Sequence, residues 1–314
     1  MVYHYFVLTV IIPCFNEELT VGKTIKDLKA TGGKKLRIIV VDNGSTDKTS
    51  SVALKHGAEV VIEPMKGKGY AFRRGLLSID QKTKFVGLID GDATYDTTPL
   101  LAAVRLISDS GYEMVVGTRT PIDTFNVDLY RTGHKFGNLL FTKLNRVLFK
   151  SDIGDALSGW RVMSKNFALS FFGGNSNFEL ETELNVHAFR LGVKITNIKV
   201  GYKSRPTNSS SKLNTFKDGT LIFMKHLRLW REERPKVAYN IMAIPILIIG
   251  GVLFNRALSN YIDSGIVTHF PSLIVAVGLF VISLSLVIAG IILENNLLIR
   301  TQFARFIYNS NNNS

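Results

Sequence analysis

Hydrophobic and polar positions along the first part of the chain fall into two alternating rhythms. Compact runs rich in Val, Ile, Leu and Phe predict strands at Val7–Ile12, Leu36–Val41, Ala58–Ile62, Phe85–Ile89 and Met114–Val116. Between them, Glu18–Ala30, Asp47–His56, Gly69–Ser78 and Pro99–Ser108 place apolar residues at helical spacing. That order predicts an α/β fold, Rossmann-like, with a mostly parallel sheet flanked by helices on both faces. Ligands of such sheets bind beyond the carboxyl ends of the strands. The polar clusters fall there: Pro13–Glu17 after the first strand, Asp42–Thr49 after the second and Asp90–Asp96 after the fourth. Residues 120–220 are less regular, with helical patterns at Leu139–Phe149 and Glu179–Leu191 and a strand-like run at Val193–Val200.

Farther on, the amphipathic pattern gives way to unbroken apolar sequence. Val237–Phe254 and Phe270–Leu293 carry no charge and are apolar all round. As helices they reach about 27 and 36 Å, the scale of a bilayer core of about 30 Å. Helices of a small soluble domain normally keep a polar face, so these two are read as transmembrane. The link Asn255–His269 is short and carries only Arg256 and Asp263. Lys225, Arg228, Arg231, Arg234 and Lys236 precede the first span, and Arg300 and Arg305 follow the second. By the positive-inside rule both long flanks are cytoplasmic and the link is external. The expected organisation is therefore a cytoplasmic domain over 1–212, a basic juxtamembrane segment over 213–236, two spans over 237–293 with an external loop at 255–269, and a cytoplasmic tail over 294–314 ending in a disordered NSNNNS. Within Thr215–Glu233, Phe216, Leu221, Ile222, Phe223, Leu227 and Trp230 suit either an amphipathic helix on the membrane surface or a packing helix of the domain. The N-terminal MVYHYFVLTVIIP has no basic leader and is read as a buried strand rather than a signal peptide.

Composition adds a charge and removes some chemistry. Lys+Arg number 38 against 25 Asp+Glu, a formal net charge of +13 over 314 residues. Such a surplus suits nucleic acid, an anionic bilayer or a phosphorylated substrate. The basic residues gather at the membrane flank and no reading helix stands out, so nucleic acid is set aside. Cys14 is the sole cysteine, which excludes an internal disulfide and a cysteine-rich zinc site.

Three clusters carry candidate chemistry. LIDGDATYD puts Asp90 and Asp92 at the end of an apolar strand, on a turn tightened by Gly91. Two such carboxylates suit a hard divalent cation, Mg2+ or Mn2+, bridging a nucleotide diphosphate. VVDNGSTDKT ends a strand in Asp42, placed to accept from a base or ribose, while Ser45 and Asp47 suit helix capping. IIPCFNEE ends a strand in Pro13 and Asn16, with Glu17 and Glu18 where a helix should begin. MKGKGYAFRRG lacks the spacing of a Walker phosphate loop. Its Lys66 and Lys68 remain able to approach a phosphate, surface solvation being the simpler role.

Taken in order, IIPCFNE, VVDNGSTDKT, GKGYAFRRG, DGDATYD, VVGTR, DALSGWRV, FELETELNVHAFRLGVKITNIKVGYKSR and SKLNTFKDG resemble the family-2 inverting glycosyltransferases over about residues 7–220. Within these the chain is most similar to the dolichol-phosphate mannose/glucose synthase and polyprenyl-phosphate sugar transferase branch. The resemblance implies a GT-A type fold and a UDP- or GDP-hexose donor. It also implies Mg2+ or Mn2+ as cofactor and a polyprenyl (dolichyl) phosphate acceptor in a membrane. Pro13, Phe15 and Glu17 match the first nucleotide-binding motif, Asp42 the base- or ribose-contacting carboxylate and Asp90/Asp92 the metal pair. Lys68 joins the donor-site set. Arg119 matches the arginine near the donor and acceptor phosphates, and Arg131 lies in the segment forming the acceptor loop. Asp155 and Ser158 match the DxxSG segment near the reacting centre. Arg205, Ser211 and Lys212 match the late basic motif that closes over the diphosphate. Asn43 departs from the family's frequent second Asp. Thr94 stands where mannose-type synthases carry Gln as a further metal ligand, so mannose is not implied.

A lipid phosphate is already ionised at neutral pH and needs no strong general base. The expected catalysis is then alignment and charge compensation, with Arg119, Arg131 and Arg205 holding phosphate charge. Two other readings compete. A processive or glycan-directed transferase of the same fold would carry a Gln-x-x-Arg-Trp motif and more spans; SGWRV reverses the Trp–Arg order. A membrane scaffold or flippase-like protein would not need both Asp90 and Asp92. The sequence leaves a homo-oligomer open.

Overall fold

The structure is a computed structural model that describes residues 8–33, 36–122, 154–173, 180–203, 227–228, 230–267 and 270–312. The helical pattern at Leu139–Phe149, most of the basic stretch before the first span, and Arg131, Arg205, Ser211 and Lys212 lie outside these residues. The chain divides into two compact units, Met1–Gly219 with Ala304–Ser314, and Thr220–Phe303.

In the first unit the alternating pattern resolves into β1 (Leu8–Cys14), α1 (Val21–Gly32), β2 (Leu36–Asp42), α2 (Thr49–Lys55), β3 (Glu59–Ile62), α3 (Lys68–Leu76), β4 (Phe85–Leu88), α4 (Leu100–Ser110) and β5 (Met114–Pro121). There follow β6 (Arg161–Ser164), α5 (Lys165–Leu169), α6 (Leu180–Leu191) and β7 (Ile195–Tyr202). The sheet has seven strands in the order β3-β2-β1-β4-β6-β5-β7. β6 runs antiparallel to β4 and β5, while the remaining neighbours pair in parallel. This is the expected mostly parallel sheet.

The continuous apolar runs have a direct cause: both faces of the sheet are covered. On β1, Val10, Ile12 and Cys14 enter one core with Val21, Ile25 and Leu28 of α1, Ala53 of α2 and Leu100, Val104 and Ile107 of α4. Ile11 points the other way, into a second core with Phe72 and Leu76 of α3, Phe167 of α5 and Leu180 and Leu184 of α6. Each fully buried Leu, Ile or Phe contributes about 1.5–3 kcal/mol relative to exposure. The α3–β1 contact is close because Gly75 faces Ile11; a Cβ on Gly75 would stand 2.5 Å from Ile11 Cγ2.

β6 and α5 have no counterpart in the sequence pattern. Four residues, RVMS, are too few for periodicity, and the first is a fully buried arginine. β5 also extends past Val116 to Pro121, because β7 pairs with it along its whole length, Met114↔Ile195 through Pro121↔Tyr202.

The second unit is dominated by α7 (Pro235–Ser264) and by α8 (Phe270–Asn312), whose last turns belong to the first unit. Both helices are long and apolar enough to cross a membrane. They run antiparallel through a seam of small residues. Ser283 donates to Ala243 O at 3.2 Å, Gly250 faces Phe280, and Gly290 faces Tyr239. Small residues let apolar helices approach closely where no hydrophobic effect drives them together. α8 continues as helix through Asn312, where a disordered end was expected. Its last turns are tied within the first unit: Tyr308 Oη donates to Glu113 Oε1 at 2.7 Å and Arg305 to Arg190 O at 2.9 Å.

Candidate active site

The order β2-β1-β4 places a topological switch between β1 and β4, and a ligand crevice is expected outside their carboxyl ends. The acidic motifs meet there. Burial pushes the Cys14 thiol up, and the carboxylates of Glu17, Asp42, Asp90 and Asp92 push it further. Asp42 stands in register with Cys14 at the ends of β2 and β1, and the Gly91 turn between Asp90 and Asp92 packs against the Cys14 sulfur.

The loops after β1 and β2 are stitched to each other. Asn16, at φ 55°, donates its N–H to Ser45 Oγ (3.0 Å) and accepts from Thr46 N (2.8 Å). Glu17 N donates to Thr49 Oγ1 (2.8 Å), and Glu17 Oε2 accepts from Thr20 Oγ1 (2.7 Å). Asp47 accepts from Glu18 N and from Thr49 N, and Glu18 Oε2 accepts from Lys48 N. Asp42 accepts from Ser45 N at 2.8 Å and from Ser50 Oγ. Asp47 thus takes the first N–H of α2, whereas Ser45 does not cap the helix as expected: its hydroxyl accepts from Asn16 N across the two loops, and Asp42 anchors its own loop.

Asn43 explains its departure from Asp. Its Nδ2 donates to Glu63 O (3.0 Å) and Met65 O (2.6 Å), and its Oδ1 accepts from Gly67 N (2.6 Å). A carboxylate has no N–H to give the two carbonyls. Asn43 therefore moors the segment that delivers Lys68 to the site. Surface solvation is not that lysine's role: its Nζ pairs with both Asp90 Oδ1 and Glu181 Oε1. Burial disfavours the ammonium, but the two carboxylates outweigh it and raise its pKa. Lys66 stands 5.4 Å over the Phe15 ring, a cation–π contact in the same region.

Asp90 and Asp92 flank Gly91, whose Cβ would strike Cys14 Sγ at 2.5 Å. Asp92 is buried and its Oδ1 accepts from Thr94 Oγ1 (2.6 Å) and Thr94 N (3.2 Å), with Ala93 between them at φ 58°. Thr94 thus orients Asp92. No group of three or more His, Cys, Asp or Glu forms a metal cage among the described residues. An all-oxygen carboxylate pair nonetheless fits Mg2+ or Mn2+, which take one or two protein carboxylates and complete their shell with phosphate oxygens and water.

Beside the acids lies a second constellation. Arg119 Nε and Nη2 grip Asp155 Oδ2 and Oδ1 at 2.6 and 2.9 Å, a bidentate pair. The guanidinium also lies 5.5 Å over the Tyr202 ring. Burial opposes its charge, yet the Asp155 hydrogen bonds raise its pKa. Tyr95 packs edge-on against Tyr202 at 5.1 Å, and its hydroxyl accepts from Gly159 N at 3.0 Å. Gly159 faces Asp90 so closely that a Cβ would stand 2.1 Å from Asp90 Oδ2. Ser158 is fully buried and its Oγ accepts from Trp160 N at 3.3 Å.

This arrangement of a carboxylate pair at a switch point, a lysine and a bidentate arginine suits an anionic, diphosphate-bearing ligand. A family model described as glycosyl transferase family 2 matches residues 9–170. The chain belongs to that family. It is 29% identical to glycosyltransferase AglJ of Haloferax volcanii, over 72% of this chain and 73% of that one. It is 26% identical to the low-salt glycan biosynthesis hexosyltransferase Agl6 of the same organism, over 77% of this chain and 57% of that one. Among solved structures, glucosyl-3-phosphoglycerate synthase from Mycobacterium tuberculosis shares the fold, with a TM-score of 0.54 at 23% identity over 71% of this chain and 79% of that one. The family 2 glycosyltransferase fold, GT-A-like with a mostly parallel sheet, is thus established.

Sequence reasoning missed several residues of the glycosyltransferase site. Arg161 is fully buried beneath it, donating to Ser158 O (3.1 Å), Ala156 O (3.0 Å) and Asn185 Oδ1 (2.6 Å). Burial lowers its pKa to about 10 even though Glu181, Asp155 and Tyr95 favour its charge. Glu181, Tyr95, Tyr202 and Gly159 were also missed. The one signal available was a charged residue in an apolar setting, Arg161 directly after Trp160. Arg131, Arg205 and Lys212 keep the status of expectations from the motif.

Proposed function

We propose that this family 2 enzyme transfers a hexose, with inversion, from a nucleotide diphosphate sugar to a polyprenyl phosphate in a membrane. The observation that carries the reading is the bidentate Arg119–Asp155 pair, joined to the Asp90 side of the site through Tyr202, Tyr95 and Gly159. It supplies phosphate-binding charge next to a donor site, and both Asp155 oxygens are engaged by the guanidinium. The two apolar helices on the same chain suit a lipid acceptor. The catalytic unit and the C-terminus are assigned to the cytoplasm from the basic flanks.

In this reaction an oxygen of the lipid phosphate forms a bond to the anomeric carbon. The bond from that carbon to the donor diphosphate breaks, and the nucleoside diphosphate leaves with the electron pair. Mg2+ or Mn2+ held by Asp90 and Asp92 would neutralise charge on the departing diphosphate. The protein's own part is alignment. Thr94 fixes the Asp92 rotamer, and Gly159 leaves room for Asp90. Arg119 exchanges part of its Asp155 contact for phosphate oxygens, a fork geometry suited to that exchange. Asp155, released from one guanidinium bond, turns that oxygen to a sugar hydroxyl. Asp42 with Pro13, Phe15 and Glu17 frames the nucleoside end, Ser158 and Arg131 are assigned to the acceptor phosphate, and Arg205 and Lys212 to the diphosphate. The M. tuberculosis synthase has been crystallised with Mn2+ and UDP-glucose, which supports a donor and cofactor of that kind here.

The test is incubation of the detergent-solubilised protein with Mn2+, a polyprenyl phosphate and a panel of labelled nucleotide sugars. Label extracted into the organic phase is the expected result. Label confined to water or to a polymer would point instead to a glycan acceptor.

A further inference from the structure

The acidic end of the sheet poses an electrostatic problem before any ligand arrives. Asp42 ends β2 in register with Cys14, Asp90 and Asp92 flank the Gly91 that packs against the Cys14 sulfur, and Asp42 and Asp92 are buried. Glu181, in the first turn of α6, is 5% exposed and meets the same Lys68 ammonium as Asp90. Carboxylates gathered at the ends of adjacent strands repel one another where solvent is excluded. Lys68 brings a positive charge into this group, and the protein holds it there with care. Gly67, at φ 141°, turns the chain into α3, and its N–H is held by Asn43 Oδ1. The lysine joins residues 113 positions apart in sequence when it pairs with Glu181.

We propose that Lys68 is a built-in counter-cation of the donor site. Its ammonium occupies Asp90 before a divalent ion arrives, yields that carboxylate to the ion, and is kept beside the site by Glu181 to meet the donor diphosphate. The inference rests on reading Asp90 and Asp92 as the metal pair. The chemistry of lysine suits the exchange: it is a point charge on a flexible four-carbon stem, able to swing between oxygens without a fixed fork. Glu181 gives the displaced ammonium a partner, so the exchange leaves no buried charge uncompensated. Glu181 is thereby a positioning residue for Lys68. The arrangement makes metal and lysine competitors at Asp90 and then allies on the diphosphate.

This predicts opposite effects of one substitution on two affinities. Binding of Mn2+ alone to the full-length, detergent-solubilised protein is measured by the electron paramagnetic resonance signal of free Mn2+. Lys68→Met should tighten it by about ten-fold, the usual scale of a lost competing charge at such a range. With Mn2+ saturating, the same variant should bind the nucleotide sugar about ten-fold more weakly. Lys68→Arg, which keeps the charge, should not tighten Mn2+ binding. Lys66→Met removes a neighbouring cation that faces Phe15 rather than Asp90, and should leave Mn2+ affinity within about two-fold. As a second measurement, the Mn2+-induced rise in Tm should be larger in Lys68→Met than in the parent. Unchanged or weaker Mn2+ binding in Lys68→Met, or equal tightening by Lys66→Met, overturns the proposal. Failure of parent and variants alike to bind Mn2+, even with nucleotide sugar present, removes the metal pair itself and the proposal with it.

Discussion

The two sides of the site are held together in different ways. On the β1–β2 side, the supports are local loops stitched by N–H and hydroxyl groups: Asn16 to Ser45 and Thr46, Glu17 to Thr49, Asp47 to Glu18. On the β6–β5–β7 side, buried charges reach across the fold: Arg119 to Asp155, Arg161 to Asn185 and to the carbonyls of residues 156 and 158. The first side is a preformed cradle whose many small bonds each contribute about 0.5–1.5 kcal/mol. The second depends on a few groups whose removal leaves buried partners unsatisfied. Asp90 lies between them, touching Lys68 from the first side and Gly159 from the second.

The sharpest way to break this contrast is at the seam. Gly159→Ala puts a methyl against the Asp90 carboxylate and is expected to cut turnover by about 100-fold or more, since misplacement of about 1 Å costs that much. Near-parental steady-state rates would remove Asp90 from the site. Next in size is Arg161→Ala, which strips Asn185 Oδ1 and the Ser158 carbonyl of their guanidinium donor and leaves Ala156 O with only the Asn185 amide. Denaturant unfolding should show a loss of about 3 kcal/mol or more. A loss below about 1 kcal/mol would mean the β6 side is no more dependent on single groups than the β1 side.

The same contrast explains what could be read from the chain. Strands β1, β2 and β4 were legible because both of their faces are buried, which writes itself as uninterrupted Val/Ile/Leu runs ending in polar motifs, while β3, half-exposed at the sheet edge, shows only through its short Val-Val-Ile run. Asp42, Asp90 and Asp92 were found because they sit directly after such runs. β6 was not legible, since a four-residue strand led by Arg161 has no period. Nor was Glu181, which lies on a helix whose other residues account for its pattern and joins the site through a lysine distant in sequence. Lys68 was undervalued for the same reason: a lysine between glycines reads as solvated until its partners are seen. The continuation of α8 through Asn312 also went unseen, because NSNNNS carries no helical signal and its neighbours Tyr308 and Arg305 are fixed by tertiary contacts.

Smaller effects test the cradle. Asn43→Asp loses both donor bonds to Glu63 O and Met65 O, and should cost about 1–3 kcal/mol while raising KM for the donor through a displaced Lys68. A raised kcat with unchanged KM would contradict the mooring. The mildest effect is that of pH on Asp47. Burial alone would raise its pKa, but hydrogen bonds from Thr49 and Glu18 N–H outweigh it and hold the group below its usual value. A carboxylate depressed in the folded state stabilises above its unfolded pKa of about 3.9, and that contribution fades as pH falls through the folded value. Asp47→Asn should flatten this acid limb slightly relative to the parent in unfolding experiments between about pH 5 and 2. An identical acid limb would show that Asp47 caps without contributing to acid stability.

The nature of the acceptor is the claim on which the rest depends, and the products decide it. Mass spectrometry of the lipid extract, read alongside the nucleotide released, distinguishes the routes. Attack by a lipid phosphate oxygen on the sugar gives a polyprenyl monophosphate hexose and one nucleoside diphosphate per sugar transferred. Release of nucleoside monophosphate with a polyprenyl diphosphate sugar, or hexose found only on a glycan, would contradict it.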